Sequence, residues 1–320
     1  MPSARRLVLL TLAFAYFPIA VAGGEDKKPA DASAVAVDEK ADTPARVAAI
    51  RALGRTPFAD ARPLLAKCLG VRQPQPVQLA ALETLATFDA AGVPETVLAM
   101  WPAMTPTLRT AAADALIARP AWRGGLLDAV EKEVVRPADL DPARVQLLHK
   151  SPDEKVRGRA EKLFAGTSPS KRADEIAKYR KSLELKGDAG KGRAVFKESC
   201  AACHKFGGVG EAVGLDLAAI KDRAPGSLLV GIIDPNREVL PQYTLYLLVT
   251  DDDRILSGMI TSETADSLSI RQSGGTAETV RRSVIQSLRG TGLSAMPEGL
   301  EEKIDLQAMA DLLTFLAAAK

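Results

Sequence analysis

The stretch Cys200-Ala201-Ala202-Cys203-His204 decides how the C-terminal part of the chain is expected to fold. Its Cys-x-x-Cys-His spacing is the attachment signature of c-type haem. Cysteines three residues apart fall on one face of a helical turn, so each thiol can add to one vinyl group of a haem. The next residue, His204, is then placed under the iron as its proximal ligand. The motif therefore predicts one covalently bound haem c.

Three alternatives to haem attachment remain open for this motif. A structural zinc site normally takes four Cys or His ligands, and beyond the motif the chain offers only Cys68 and His149. A thioredoxin-type dithiol follows a strand in a βαβ unit, whereas residues 190–199 have a helical pattern. The third alternative is a chance occurrence of the spacing. Haem attachment fits the spacing and its surroundings best.

The N-terminus predicts export. Arg5 and Arg6 precede the apolar run Leu7–Ala22, which ends in the cleavage pattern Ala20-Val21-Ala22. This pattern is typical of a signal peptide over residues 1–22, and the run is too short for a comfortable membrane span. An uncleaved membrane anchor is the alternative. Removal of the signal would leave a periplasmic or otherwise exported protein without an integral membrane span.

The composition excludes some classes of partner and favours helices. The chain has 42 basic and 40 acidic residues without a basic stripe, so no nucleic-acid partner is expected. Aromatic residues make up 4% while Ala and Leu are abundant, which favours helices packed on small residues. The third cysteine, Cys68, is expected to be buried between helices. Residues 23–42 are rich in Ala, Asp, Glu and Lys, so we predict a flexible linker there.

An internal repeat occupies residues 43–165. Similar stretches begin at Ala48, Ala80, Ala111 and Ala143, and an amphipathic segment follows each of them. Helix pairs that recur at a fixed period predict an α-solenoid, here resembling HEAT-like repeats of short period. Stacking must supply the core, because one helix pair cannot bury its apolar face alone. The alternative is an irregular helical bundle. We predict a linker helix over residues 166–187, with Ile176, Tyr179 and Leu183 on its apolar side.

From residue 188 to residue 320 the pattern resembles a small cytochrome c. Gly192 can allow close approach of a second helix, and Phe196 can pack on the porphyrin edge. Gly214-Leu215-Asp216-Leu217 lies where cytochromes c have a Gly-Pro-x-Leu turn. In that family a carbonyl of this turn accepts a hydrogen bond from the proximal histidine, which fixes the imidazole. Leu215 replaces the proline, and which carbonyl serves is left open.

Met296 is the predicted distal ligand of the iron. Its loop, residues 292–299, contains a Met-Pro pair that resembles the distal loop of cytochromes c. Ligation by His and Met raises the reduction potential of a haem. Met259 is the leading rival, whereas Met309 fits the apolar stripe of the last helix. We predict that His149 is a surface or capping residue.

The segment between these ligands reads as strands. Residues 243–250, 254–262, 267–272 and 276–282 alternate or are β-branched, and Asp251–Asp253 and Gly274-Gly275 mark turns. We therefore predict a β-meander inserted into the haem domain at about residues 242–282. The predicted fold class is mainly α, with an N-terminal α-solenoid and a C-terminal cytochrome c-like domain carrying this insertion.

This layout resembles the planctomycete and verrucomicrobial (Pirellula-type) haem-binding C-terminal domain. The matching residues are Cys200–His204, Leu228–Asn236, Tyr243, Gly258, Glu263 and Ser294–Pro297. The resemblance covers residues 188–320 and implies haem binding or electron transfer. Members often carry helical repeats upstream. The chain departs from the pattern at Leu215 and at Asp253-Arg254, where a turn glycine is expected.

Together these features predict an exported monohaem c-type cytochrome that carries one electron. His204 and Met296 would be the axial ligands, and the helical repeats would dock to a periplasmic dehydrogenase or oxidase. No array of catalytic acid, base or nucleophile stands out, so an enzyme in its own right is not expected. The alternatives are a peroxidase-like enzyme with an open distal site, and a haem-containing sensor or scaffold.

Overall fold

The computed structural model describes residues 29–165, 172–272 and 275–318. The predicted signal peptide lies outside these residues. The chain is mainly helical (56%), with thirteen α-helices and one five-stranded antiparallel sheet near the C-terminus in the described ranges. The predicted mainly-α class is confirmed at this level.

The first nine helices precede residue 166. They are α1 (Pro29–Val37), α2 (Thr43–Leu53), α3 (Phe58–Cys68), α4 (Gln75–Leu85), α5 (Gly92–Met100), α6 (Pro106–Ala118), α7 (Pro120–Glu131), α8 (Pro142–His149) and α9 (Glu154–Leu163). From α2 onward, alternate helices contact one another, so that α2, α4, α6 and α8 form one row and α3, α5, α7 and α9 form the other. Their apolar side chains share a single core, in which Trp101 is completely buried.

Proline helps to start several of these helices. Pro142 follows Asp141, whose side chain caps α8 by accepting a hydrogen bond from the Arg144 amide (2.9 Å). For α2 the cap is Asp42, whose carboxylate accepts from the Ala45 amide (2.7 Å). A carboxylate stabilises the positive end of the helix dipole as well as filling the free amide.

The prediction of a flexible linker over residues 23–42 is wrong for α1, which occupies Pro29–Val37 and packs against α2 and α3. Ala32 and Ala36, four residues apart, form the buried face of this helix. The thiol of Cys68 lies 3.4 Å from the carbonyl oxygen of Ala36, so Cys68 is buried between helices as predicted. Burial raises the pKa of this thiol.

The sheet contains the four predicted strands and a fifth. The strands are β1 (Thr244–Thr250), β2 (Ile255–Glu263), β3 (Ser267–Arg271), β4 (Ala277–Arg281) and β5 (Ile285–Ser294). Their order is β4-β3-β2-β1-β5, with every pair antiparallel. The sheet therefore extends beyond the predicted limit at residue 282. Gly290 and Gly292 weaken the strand pattern of β5, and pairing with β1 supplies what local propensity lacks.

The sheet packs on the N-terminal helices, which the sequence did not predict. Val71 joins the apolar cluster of the sheet, and Arg72 Nε donates to the Ile285 carbonyl (3.0 Å). The guanidinium of Arg109 lies between the rings of Trp101 and Tyr246, at 5.9 and 5.4 Å from their centroids. Burial raises the pKa of Tyr246 to about 12. The helical rows and the sheet thus share one buried interface.

The remaining helices form a separate apolar cluster. They are α10 (Ala173–Tyr179), α11 (Ala189–Ser199), α12 (Pro225–Ile233) and α13 (Leu306–Ala318). The predicted linker helix is observed as α10 followed by a 3-10 turn at Arg180–Glu184, and residues 166–171 lie outside the described part. Ile176 and Tyr179 are buried as predicted, but Leu183 is 41% exposed because the 3-10 turn rotates it away from that face.

Glu133, just after α7, has a positive φ of 57°. A side chain is disfavoured there because its Cβ crowds the backbone, whereas glycine adopts this conformation freely. We expect Glu133→Gly to raise the free energy of unfolding by about 1 kcal/mol, measured by urea denaturation. The matched control is Lys132→Gly, at φ −84°, which is expected to be destabilising. A loss of stability in both variants would contradict the argument.

Candidate functional site

The Cys-x-x-Cys-His motif begins where α11 ends. Asp188 starts this helix by accepting hydrogen bonds from the amides of Gly190 (2.7 Å) and Lys191 (3.0 Å). These two amides, that of Lys191 first, lower the pKa of the Asp188 carboxyl. Cys200 terminates the helix, and its amide still donates to the Phe196 carbonyl (2.8 Å). The motif is thus attached to a capped helix.

The motif itself forms a tight turn rather than a further turn of α11. The amides of Cys203 and His204 both donate to the carbonyl of Cys200, at 3.1 and 2.9 Å. Both thiols are free and half-buried. Burial, and then the neighbouring Cys203, raise the pKa of the Cys200 thiol to about 11. Cys200 therefore remains protonated at neutral pH.

The imidazole of His204 is oriented by the turn at residues 214–217. Its Nδ1 lies 2.9 Å from the carbonyl oxygen of Leu215. With the proton on Nδ1, the ring donates to this carbonyl and keeps the lone pair of Nε2 for a metal. The sequence left open which carbonyl of this turn pairs with His204. In the structure it is the carbonyl of Leu215.

The loop after the motif folds back onto it. The carbonyl of Cys203 accepts hydrogen bonds from the amides of Val213 (3.0 Å) and Gly214 (2.7 Å). A Cβ on Gly214 would lie only 2.7 Å from Cε1 of His204. Gly210 has a φ of +89°, and a Cβ there would lie 2.1 Å from the His204 carbonyl oxygen. Two glycines thus let the loop backbone hold both the main chain and the ring of His204.

Three aromatic rings lie beside the motif. Phe315 packs on Phe196 and on Phe206, with ring centroids 5.6 and 5.4 Å apart. The guanidinium of Arg223 lies 5.2 Å from the centroid of Phe206. Protein atoms completely cover Phe196, and its role as a haem contact stays a prediction.

Met296 lies in the loop that follows β5, and it is half-buried. Its amide donates to the hydroxyl of Ser294 (3.1 Å), and the amide of Ser294 donates to Oδ1 of Asn236 (2.7 Å). The amide of Ala295 donates to the Tyr243 carbonyl (2.9 Å). The loop therefore has a defined backbone path, and the role of Met296 as an iron ligand stays a prediction.

The other candidate ligands have different surroundings. Met259 is buried in β2 opposite Arg271, whose Nη1 lies 3.4 Å from the carbonyl oxygen of Ala212 in the loop after the motif. Met309 is completely buried in the core, as predicted. His149 ends α8, and its ring packs edge-on to Phe164 at 6.3 Å.

This donor set fits a covalent c-type haem. Two free thiols share one turn, and the next residue is an imidazole whose Nδ1 is already engaged. Because residue 214 is glycine, the imidazole of His204 can lie against the loop backbone where a Cβ would collide with the ring. Within the described ranges, no group of three or more His, Cys, Asp and Glu side chains is placed to hold a metal ion by itself.

Sequence reasoning missed several polar residues around this part of the molecule. Asp311 is buried on α13 and accepts a hydrogen bond from the Asp188 amide (2.8 Å), although it interrupts an apolar stripe. A charged residue within the apolar stripe of α13 was the sequence feature that could have indicated a buried, paired carboxylate. Arg136 bonds to the strand that leads into the Met296 loop; no local pattern distinguishes it from a surface arginine.

No protein-family model matches this sequence, and none of the curated proteins matches it at a significant level. The resemblance to the Pirellula-type domain therefore rests on the matching residues alone and stays a prediction. In the described part of the chain, none of the helices has both the length and the apolar character needed to cross a membrane.

Proposed function

We propose that this chain is an exported monohaem c-type cytochrome that transfers single electrons. Cys200 and Cys203 would hold the haem through thioethers, and His204 and Met296 would be its axial ligands. Leu215 orients the proximal imidazole. The N-terminal helices would be HEAT-like repeats that dock to a periplasmic dehydrogenase or oxidase.

One observation carries the proposal: the hydrogen bond from His204 Nδ1 to the Leu215 carbonyl (2.9 Å), immediately beside two free thiols. A bond of this kind fixes the ring orientation and increases the basicity of the other nitrogen. A histidine with a purely structural role would not need two unpaired cysteines on the same turn. Haem is favoured over a structural zinc site, which takes four ligands, because the motif offers three at most and no group of three or more His, Cys, Asp and Glu side chains in the described ranges is placed to hold a metal ion.

When bound, the haem supplies an iron that cycles between Fe(III) and Fe(II). The chain supplies the rest. The loop of residues 211–214 holds the Cys203 carbonyl and keeps the motif in its turn. Phe206 and Phe315 provide an apolar surface beside the motif, which excludes water and favours the state of lower charge.

Replacing Met296 with alanine tests the distal ligand. In the periplasmically expressed protein we expect a pyridine haemochrome of c type and a methionine-to-iron charge-transfer band in the oxidised state. Met296→Ala should retain the covalent haem but lose this band, because alanine has no thioether. The reduction potential should fall, since His/Met ligation raises it.

Met259→Ala is the matched control, because it removes the rival thioether from the buried strand β2. It should leave the band in place. Loss of the band only in Met259→Ala would show that Met259, and not Met296, is the distal ligand. A high-spin spectrum that neither substitution changes would favour an open distal site and peroxidase-like or sensor chemistry. Absence of covalent haem from the unsubstituted protein would overturn the proposal.

A further inference from the structure

The loop that carries Met296 is shaped by an irregular end of β5. Thr244 pairs with Ser294, and Tyr246 pairs with Gly290, so one residue of β1 faces three residues of β5. Gly292, in the middle of the three, has a φ of +81°. Bulges of this kind bend a strand and redirect the chain that follows it. The bulge at residues 291–293 therefore sets the direction in which Met296 is presented.

Two bonds within the sheet hold this bulge. The hydroxyl of Thr291 donates to the carbonyl of Leu245 (2.8 Å) and accepts from the amide of Leu293 (3.1 Å). The carbonyl of Gly292 and the hydroxyl of Thr244 take no part in these two bonds and face Arg136.

Arg136, from the segment between α7 and α8, binds both of these groups. Its Nη1 donates to the Gly292 carbonyl, and its Nη2 lies 3.2 Å from the hydroxyl of Thr244. A Cβ on Gly292 would lie 3.2 Å from Cδ of Arg136, so the arginine stem also packs directly on the bulge. One side chain thus fastens both strands at the place where the distal loop begins.

Arg136 is itself held in place. Its Nη2 lies 2.6 Å from Oδ1 of Asp139, and its amide donates to Oδ2 of the same carboxylate (3.0 Å). The Asp139 side chain is 2% exposed and also pairs with Arg109 at 3.5 Å. Charge-assisted bonds of this kind, shielded from water, are strong and directional. The helices therefore present Arg136 to the sheet in a single orientation.

We infer that Arg136 is a positioning residue for the distal-ligand loop. The N-terminal helices would then do more than dock a partner: through Arg136 they would hold the loop from which Met296 reaches the iron. This inference rests on the proposed function, because it needs Met296 as an iron ligand. It concerns placement of the ligand, and haem attachment at Cys200 and Cys203 should not depend on it.

Arg136→Met tests the inference, and Arg72→Met is the matched control. Arg72 also joins the helices to the sheet, but it bonds to Ile285 and Asp251 at the opposite end of β5. Exogenous imidazole competes with the methionine for iron, so a loosened loop should increase imidazole affinity. We expect an increase of at least about tenfold in Arg136→Met, equivalent to about 1.4 kcal/mol. Arg72→Met should bind imidazole as the unsubstituted protein does.

A second readout needs no haem. In haem-free protein, amide hydrogen exchange at residues 294–296 should be faster in Arg136→Met than in Arg72→Met, because only the first substitution releases the bulge. Arg136→Lys keeps the charge and can reach one of the two acceptors, so it should give intermediate values. If Arg136→Met does not fold, the comparison of Arg136→Lys with Arg72→Met decides the question.

The outcomes separate this inference from the proposed function. If the unsubstituted protein lacks the methionine-to-iron band, both are overturned. If it has the band, and imidazole affinity and exchange at residues 294–296 are the same in the Arg136 and Arg72 variants, only the role of Arg136 is overturned. Tighter imidazole binding with faster local exchange, confined to the Arg136 variants, would support it.

Discussion

Arg282→Met is expected to lower the free energy of unfolding by about 3–5 kcal/mol. Arg282 is 1% exposed, and its guanidinium lies 3.4 Å from Glu263 and 3.0 Å from Oε1 of Gln78. The Glu263 carboxylate also accepts hydrogen bonds from Gln75 Nε2 (3.0 Å) and from the Thr107 amide (3.1 Å). Removal of the arginine would leave a buried carboxylate without its counter-charge. Urea denaturation measures the loss.

Two further variants show whether the unpaired charge is the cause. Arg282→Met combined with Glu263→Gln removes both charges. The one amide oxygen of the glutamine can still accept from the Thr107 amide, and its NH2 group can donate to Gln75 once that side-chain amide turns round. At least half of the lost stability should therefore return. Arg254→Met breaks an exposed pair with Asp252 and Glu278 in the same sheet and should leave the melting temperature almost unchanged. If Arg282→Met and the double variant lose the same unfolding free energy, the cause is lost packing and not the unpaired charge.

Gly192→Ala is expected to cost about 3 kcal/mol, at the upper end of the range for overpacking. Gly192 lies where α11 crosses α13, and a Cβ there would lie 1.9 Å from the carbonyl oxygen of Asp311. Backbone cannot rotate out of the way as a side chain can, so the two helices must separate. Cys200 caps the C-terminal end of α11, so under the proposed function the yield of covalent haem should fall together with the free energy of unfolding.

Gly231→Ala provides the control for this substitution. Gly231 lies in α12, and no heavy atom is within 4 Å of the Cβ that alanine would add. Alanine favours a helix by about 1 kcal/mol over glycine, so Gly231→Ala should stabilise the protein by a comparable amount. The same sign of change in both variants, measured by urea denaturation, would contradict the proposed helix contact.

Local patterns were sufficient for much of this fold. The strands β1 to β4 follow from alternation of side chains between turn residues, and the helix before Cys200 follows from its spacing of apolar residues. The helix α1 was not recognised, because among its described side chains only Ala32 and Ala36 are fully buried, with Val35 and Val37 partly buried, and alanines are frequent throughout the chain. The fifth strand depends on its pairing with β1, a contact that no short stretch of sequence encodes.

The site shows the same division. The motif and the nearby turn indicated that His204 would be paired with a carbonyl, but the choice of Leu215 required the path of the loop. No local sequence pattern indicated that the sheet packs on the N-terminal helices. Arginine is usually a surface residue, yet Arg109 and Arg282 are buried and Arg136 is half-buried. Their acidic and carbonyl partners come from other parts of the chain, which no local pattern reveals.

The two sides of the interface between the helices and the sheet are synthesised at different times. Arg72 bonds to a residue 213 positions later in the chain. A chain made from its N-terminus therefore completes its helical rows long before the strands that cover them exist. Apart from Val71, the side chains with which this face contacts the sheet are largely polar: Arg72, Gln75, Gln78, Arg109 and Arg136. A largely polar face of this kind resists aggregation before the strands are synthesised, whereas an apolar face would bind other nascent chains.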